Sequence, residues 1–105
     1  MEHAIAAKAS DLVMPDAMKI GGVSGWLEAA KLAENHNIPL STHLWPELNA
    51  QLLCLAPTAD WLEYNEWWNA VIAAPLRIQN GTTVVEGVSG SGIEWNEAAI
   101  SRYAA

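Results

Sequence analysis

The sequence predicts an α/β fold: a parallel sheet of short strands with helices between them, open at both edges and followed by a tail of different character. Three observations predict it. Short apolar, β-compatible runs at residues 12–14, 38–42 and 60–64 alternate with helix-favouring stretches. No link between these runs is as short as a hairpin, which is the arrangement of parallel strands joined by crossover helices. Beyond Trp68 the alternation stops, because Asn80-Gly81 between residues 76–79 and 83–86 is a hairpin signal.

Residues 2–9 are alanine-rich with no capping residue ahead of them, and read as the later part of a helix that begins upstream. The run at 12–14 is stopped by Pro15 and suits a buried strand. In the loop Gly21-Gly22-Val23-Ser24-Gly25, Ser24 is the expected cap of the next helix. That helix, over 26–36, is amphipathic: Trp26, Ala29, Ala30 and Ala33 share a face that excludes Glu28, Lys31 and Glu34. After the second strand, Pro46 and Glu47 open a helix to about Leu55. A turn at Pro57-Thr58 leads to the third strand. The glycine-rich stretch 87–92 precedes Trp95, and Asn96 caps a last helix running through Tyr103.

Three parallel strands leave two unpaired edges, whereas such sheets are normally buried on both faces and extended or closed by more strands. The fold as read is therefore unfinished. Pairing two copies does not repair it, since six strands fall short of the eight of a closed barrel.

Composition narrows the function classes. The 105 residues are 51% apolar, enough for one small core. Twelve acidic residues against five basic give a net charge of −7, which repels nucleic acid and anionic lipid and argues against either partner. No stretch resembles a signal peptide or the roughly 20-residue apolar span of a membrane helix. Cys54, among Leu52, Leu53 and Leu55, has no partner for a disulfide and suits a reducing cytoplasm as a buried packing thiol. Six tryptophans in a chain without phenylalanine are expected to supply the bulky core, with carbohydrate stacking as the alternative.

In α/β barrels the reactive groups lie where each strand ends and its loop begins. That rule selects Asp16, His43 and Glu63, spaced 27 and 20 positions apart, about one strand-helix unit each. An Asp beside a His fixes the imidazole tautomer and raises its basicity. A carboxyl group in a dry pocket stays protonated and donates a hydrogen bond. Each residue also has a plain reading. A His after a strand is commonly a structural hydrogen-bonding residue, Asp16 after Pro15 also suits a turn cap, and a three-ligand metal site lacks a short-range motif. His3 and His36 fall on helical surfaces, and Glu47, Glu66, Glu94 and Glu97 read as helix-start or solvent-facing charges. The glycine loop before a helix suits anion binding, but its spacing matches neither the dinucleotide nor the Walker pattern, so a tight turn is the better reading.

At these residues the sequence resembles the C-terminal part of a mandelate racemase-type member of the enolase superfamily. The resemblance is carried by Met14-Pro15-Asp16-Ala17-Met18-Lys19-Ile20-Gly21-Gly22-Val23, then Ser41-Thr42-His43-Leu44, then Trp61-Leu62-Glu63. It continues through Pro75-Leu76, Asn80-Gly81 and Gly90-Ser91-Gly92-Ile93 before Trp95. It implies strands six to eight of a modified (β/α) barrel over residues 1–74, with a hairpin-and-helix tail over 75–105 returning to a capping domain. By the same resemblance His43 is the base or acid on one face of a 2-hydroxycarboxylate or sugar-acid substrate, and Asp16 is its hydrogen-bonded partner. Glu63 donates to a substrate carboxylate oxygen, and Lys19 supports positioning. The family's chemistry is racemisation or dehydration through an ene-diolate stabilised by Mg²⁺, because an α-proton beside a carboxylate is too weakly acidic to be removed otherwise. The Ile20-Gly21-Gly22-Val23 loop and Glu63 tilt the expectation towards racemisation.

The family's acidic Mg²⁺ ligands and its opposing Lys lie on earlier strands, so the resemblance places no metal ligand in this chain. It is therefore expected to bind no Mg²⁺ and to be inactive by itself, its parent being a homo-oligomer. The competing expectations are a free-standing half-barrel that assembles with itself or another barrel fragment, and a small anion-binding module built on the glycine loop.

Overall fold

The computed structural model describes residues 1–104. Helix α1 (Glu2–Ala6) is followed by α2 (Gly22–Asn35), α3 (Pro46–Leu53), a 3₁₀ turn (Asn69–Val71) and α4 (Glu97–Ile100). Between the helices, three extended segments lie side by side in chain order. Val13 pairs with Leu40 and Asp16 with His43, both parallel, and Leu40 pairs in parallel with Ala59. The predicted parallel order is present, but as isolated bridges and not as continuous strands. The central segment is bonded on both sides: Val13 N–H donates to the Pro39 carbonyl at 3.0 Å and Ser41 N–H to the Val13 carbonyl at 2.9 Å, while Leu40 N–H donates to the Thr58 carbonyl at 2.8 Å and its carbonyl accepts from Asp60 at 2.9 Å.

The core gathers where the helices meet these segments. Ile5, Val13, Ala17, Trp26, Ala30, Ala33, Leu40, Leu48, Leu52 and Ala56 form one buried cluster. The predicted face of α2 is the buried one, with Trp26 fully enclosed. Its start differs from expectation. The cap position is Gly21, at a φ of 101° that glycine alone takes easily, and Ser24 lies inside the first turn. Gly25 brings the helix down onto the preceding loop: a β-carbon there would sit 1.8 Å from the Ile20 carbonyl oxygen.

Helix α3 starts after Trp45 with Pro46 in the first helical turn, where a missing N–H costs nothing. It ends at Leu53, two residues short of the expected Leu55. The tail folds back: Ile72 pairs antiparallel with Trp95, and the Asn96 N–H donates to the Val71 carbonyl at 2.8 Å. Asn96 caps α4 as expected, its Oδ1 accepting from Ala99 N–H at 3.0 Å, though the helix stops at Ile100. At Asn80-Gly81 the turn is made by positive φ at both residues, with Gln79 and Thr82 exchanging two hydrogen bonds. The pairing goes no further along either arm.

Two expectations about burial are corrected. Cys54 is exposed, because it falls at the end of α3 on the side away from the core, with its Sγ 3.2 Å from the Ala50 carbonyl. Among the tryptophans Trp26 lies in the core and half-buried Trp45 packs against it, whereas Trp61 and Trp67 are 72% and 76% exposed, since no layer among the described residues covers the third segment or the loop after it. Leu12, Met14 and Met18, on the first segment and its loop, are exposed as well. The radius of gyration is 15.3 Å, against about 13 Å for a closed domain of this size. Among the described residues, no helix is long and apolar enough to cross a membrane.

Candidate active site

The parallel register sets the ends of the three segments side by side. Asp16 and His43 are paired residues of adjacent segments, and Glu63 lies at the end of the third. The third segment is stitched to the second by hydroxyl groups. Ser41 Oγ accepts from Trp61 N–H at 3.2 Å and Thr42 Oγ1 from Glu63 N–H at 3.0 Å. Both hydroxyl residues are buried, so these bonds are shielded from competing water.

His43 and Glu63 meet directly. His43 Nδ1 lies 3.0 Å from Glu63 Oε2, with both side chains more than a third exposed. The same Glu63 oxygen accepts from the Leu44 backbone N–H. Asp16 is buried, and its Oδ1 accepts from Met18 N–H at 2.8 Å, closing the turn after the first segment. Among the described residues, no hydrogen bond joins the Asp16 carboxylate to the His43 ring; the imidazole contact is with Glu63. Lys19 is exposed, and its N–H donates to the Asp16 carbonyl at 3.0 Å, so that it belongs to the same turn.

The helix behind His43 carries residues that pattern reading passed over. Asn49 is fully buried, and its Nδ2 donates to the carbonyls of His43, at 3.2 Å, and Leu44. Glu47, read as a helix-start or solvent-facing charge, does lie in the first turn of α3 but is only 4% exposed. Its Oε2 accepts from the Trp68 indole N–H at 3.1 Å, and Trp68 stacks on Trp45 with ring centres 4.8 Å apart. The one sequence signal for this arrangement is the alternation of polar Glu47, Asn49 and Gln51 with Leu48, Ala50 and Leu52 in a short helix.

His3, His36, Glu66, Glu94 and Glu97 are exposed, away from any such arrangement. The glycine loop is a tight turn into α2, with the Gly22 N–H donating to the Ala17 carbonyl at 2.9 Å. A groove of about 460 Å³ runs between Glu47 and tail residues including Arg77, Gln79 and Thr82. None of Asp16, His43 or Glu63 lines it. His43 and Glu63, each more than a third exposed, stand on an open face, whereas catalytic sites are usually concave and walled. Among the described residues, no three His, Cys, Asp or Glu side chains converge as metal ligands.

Comparison with known proteins bears on the family and the fold. The family model described as enolase C-terminal domain-like matches residues 1–99. An L-talarate/galactarate dehydratase of Salmonella typhimurium is 34% identical over 98 residues, covering 93% of this chain and 25% of its own length. A crystal structure of a Bradyrhizobium enolase complexed with magnesium and mandelic acid superposes with a TM-score of 0.85 at 43% identity, over 95% of this chain and 27% of that one. A racemase from Streptomyces coelicolor with bound magnesium gives a TM-score of 0.87 at 26% identity, over 96% and 28%. The chain thus spans about a quarter of the length of these relatives. The match is to the C-terminal portion of these barrel proteins, and the chain belongs to the mandelate racemase-type proteins of the enolase superfamily.

Proposed function

We propose that this chain supplies the acid-base face of an active site that abstracts the α-proton of a 2-hydroxycarboxylate, with His43 as the proton carrier. The observation that carries the reading is the meeting of His43 and Glu63 at 3.0 Å, on segment ends that the register places beside the buried Asp16. The contact engages Nδ1, which leaves Nε2 as the nitrogen that takes or returns a proton. Glu63 Oε2 faces His43 and Leu44, and Oε1 is the atom that meets a substrate carboxylate, donating when protonated. Asp16 partners the imidazole once Glu63 turns to substrate, and Lys19 holds the turn that carries Asp16. Racemisation and acid-sugar dehydration share this first step, and the mandelic acid complex of the 43% identical Bradyrhizobium structure favours racemisation.

Residues 1–74 act as the barrel portion and 75–105 as the tail that packs on a capping domain. Relatives bind magnesium, no cluster of ligands for it forms among the described residues, and the chain alone is expected to turn over no substrate. Proton exchange tests the reading. Mandelate and galactarate in D₂O with Mg²⁺ are expected to keep their α-protons in the presence of the purified chain. A hybrid in which this chain replaces the matching C-terminal quarter of the Salmonella dehydratase is expected to exchange one of them. His43→Asn in that hybrid is expected to slow exchange by at least about 10²-fold, the usual contribution of a general base. A folded, Mg²⁺-binding hybrid whose exchange survives His43→Asn sinks the reading.

A second reading is favoured by the exposed Leu12, Met14, Met18, Trp61 and Trp67: an assembling half-barrel that buries these side chains against another barrel portion or a second copy. Sedimentation of the purified chain separates the cases, a discrete oligomer supporting assembly and a monomer excluding self-assembly.

A further inference from the structure

The backbone immediately after His43 is held in an unfavourable conformation. Leu44 and Trp45 are consecutive residues with side chains, at φ values of 55° and 47°. In the left-handed region a β-carbon crowds the following carbonyl, so such residues persist only where their surroundings over-determine them. Asn49 supplies that determination. It is fully buried, one turn into α3. Its side-chain amide donates to the carbonyls of His43 and Leu44, and its backbone N–H donates to the Trp45 carbonyl at 2.9 Å. One residue thereby grips three successive carbonyls. Asparagine suits the task, because one short side chain carries two donors on a single nitrogen; aspartate has none and serine one. On the opposite side, Glu63 accepts from Leu44 N–H and Trp68 stacks on Trp45.

We infer that Asn49 is a positioning residue for His43: it clamps the left-handed turn at Leu44 and Trp45 and so holds the imidazole against Glu63. Released from the clamp, Leu44 relaxes to negative φ, its N–H leaves Glu63, and His43 turns away with it. The inference rests on the reading of His43 as the proton carrier. Its test is geometric, so that a correct clamp with a mistaken catalytic role still shows itself.

Hydrogen exchange followed by NMR tests it on the chain as it exists. Asn49→Leu keeps a branched side chain of four heavy atoms and removes both donors. The Leu44 amide is expected to exchange at least about 10-fold faster in this variant, while the amides of Trp26 and Ala30 in α2 keep their protection, because the opening is local. In a Leu44→Gly background the same substitution is expected to accelerate the residue-44 amide much less, since glycine accepts positive φ without strain. Unchanged exchange at Leu44, acceleration in step with Trp26 and Ala30, or an equal effect in both backgrounds overturns the clamp. Should Asn49→Leu fail to fold, the unmodified chain decides: the Asn49 side-chain amide protons are expected to exchange at least about 10-fold more slowly than those of exposed Asn37 and Asn80, and equal rates overturn the inference.

Discussion

Helices α2 and α3 both follow a parallel segment and both pack on the same core, yet they are built on opposite plans. Helix α2 buries Trp26, Ala29, Ala30 and Ala33 and turns its charged residues to solvent. Helix α3 buries Pro46, Glu47, Leu48, Asn49, Ala50 and Leu52, so that it is enclosed on nearly every side. In α2 the apolar stripe does all the packing, and its surroundings demand only that the stripe be apolar. In α3 two polar side chains are enclosed, and each needs a specific partner, because a buried polar group without one is costly. Glu47 finds the Trp68 indole and Asn49 the carbonyls after His43. The difference teaches that one helix of the pair supports the fold while the other supports the site.

The largest effect that sharpens this contrast belongs to α2. Trp26→Ala empties a fully buried position and is expected to cost about 3–5 kcal/mol in urea unfolding. A loss below about 1 kcal/mol would mean that the α2 stripe is not the core of the chain. For α3 the informative change is polar. Trp68→Phe keeps a ring to stack on Trp45 but strips the donor from the Glu47 carboxylate, and is expected to cost about 1–3 kcal/mol. A neutral outcome would show that the enclosed carboxylate does not need this partner. The smallest effect belongs to the solvent face of α2. Lys31→Ala removes an exposed 2.6 Å pair with Glu34 and is expected to change stability by less than about 0.5 kcal/mol, screened further by salt. A larger change would break the division of labour between the two faces of α2.

Legibility in the sequence follows the same division. The α2 face, the Asn96 cap and the Asn80-Gly81 turn are local features: each depends on residues within a turn or two, and each is where the pattern placed it. Ser24 misled because Gly21, at φ 101°, takes the cap position and begins the helix earlier, while Gly25 sets the close contact with the loop. Cys54 and the outer tryptophans misled for another reason: an apolar neighbourhood in sequence says nothing about whether a layer exists to cover it. Asp16, His43 and Glu63 were selected from one rule about strand ends. The meeting of His43 with Glu63 depends on the register of three segments, which no local pattern encodes.

By itself the sequence determined the order of helices and extended segments, the inward face of α2, the turn chemistry of the tail and the family resemblance, because all of these are carried by spacing along the chain. Only the tertiary structure decided which carboxylate faces His43, that Glu47 and Asn49 are enclosed, and that Leu44 and Trp45 are held left-handed. Those outcomes depend on contacts between residues far apart in sequence, where a buried polar group takes whichever partner the packing brings within reach.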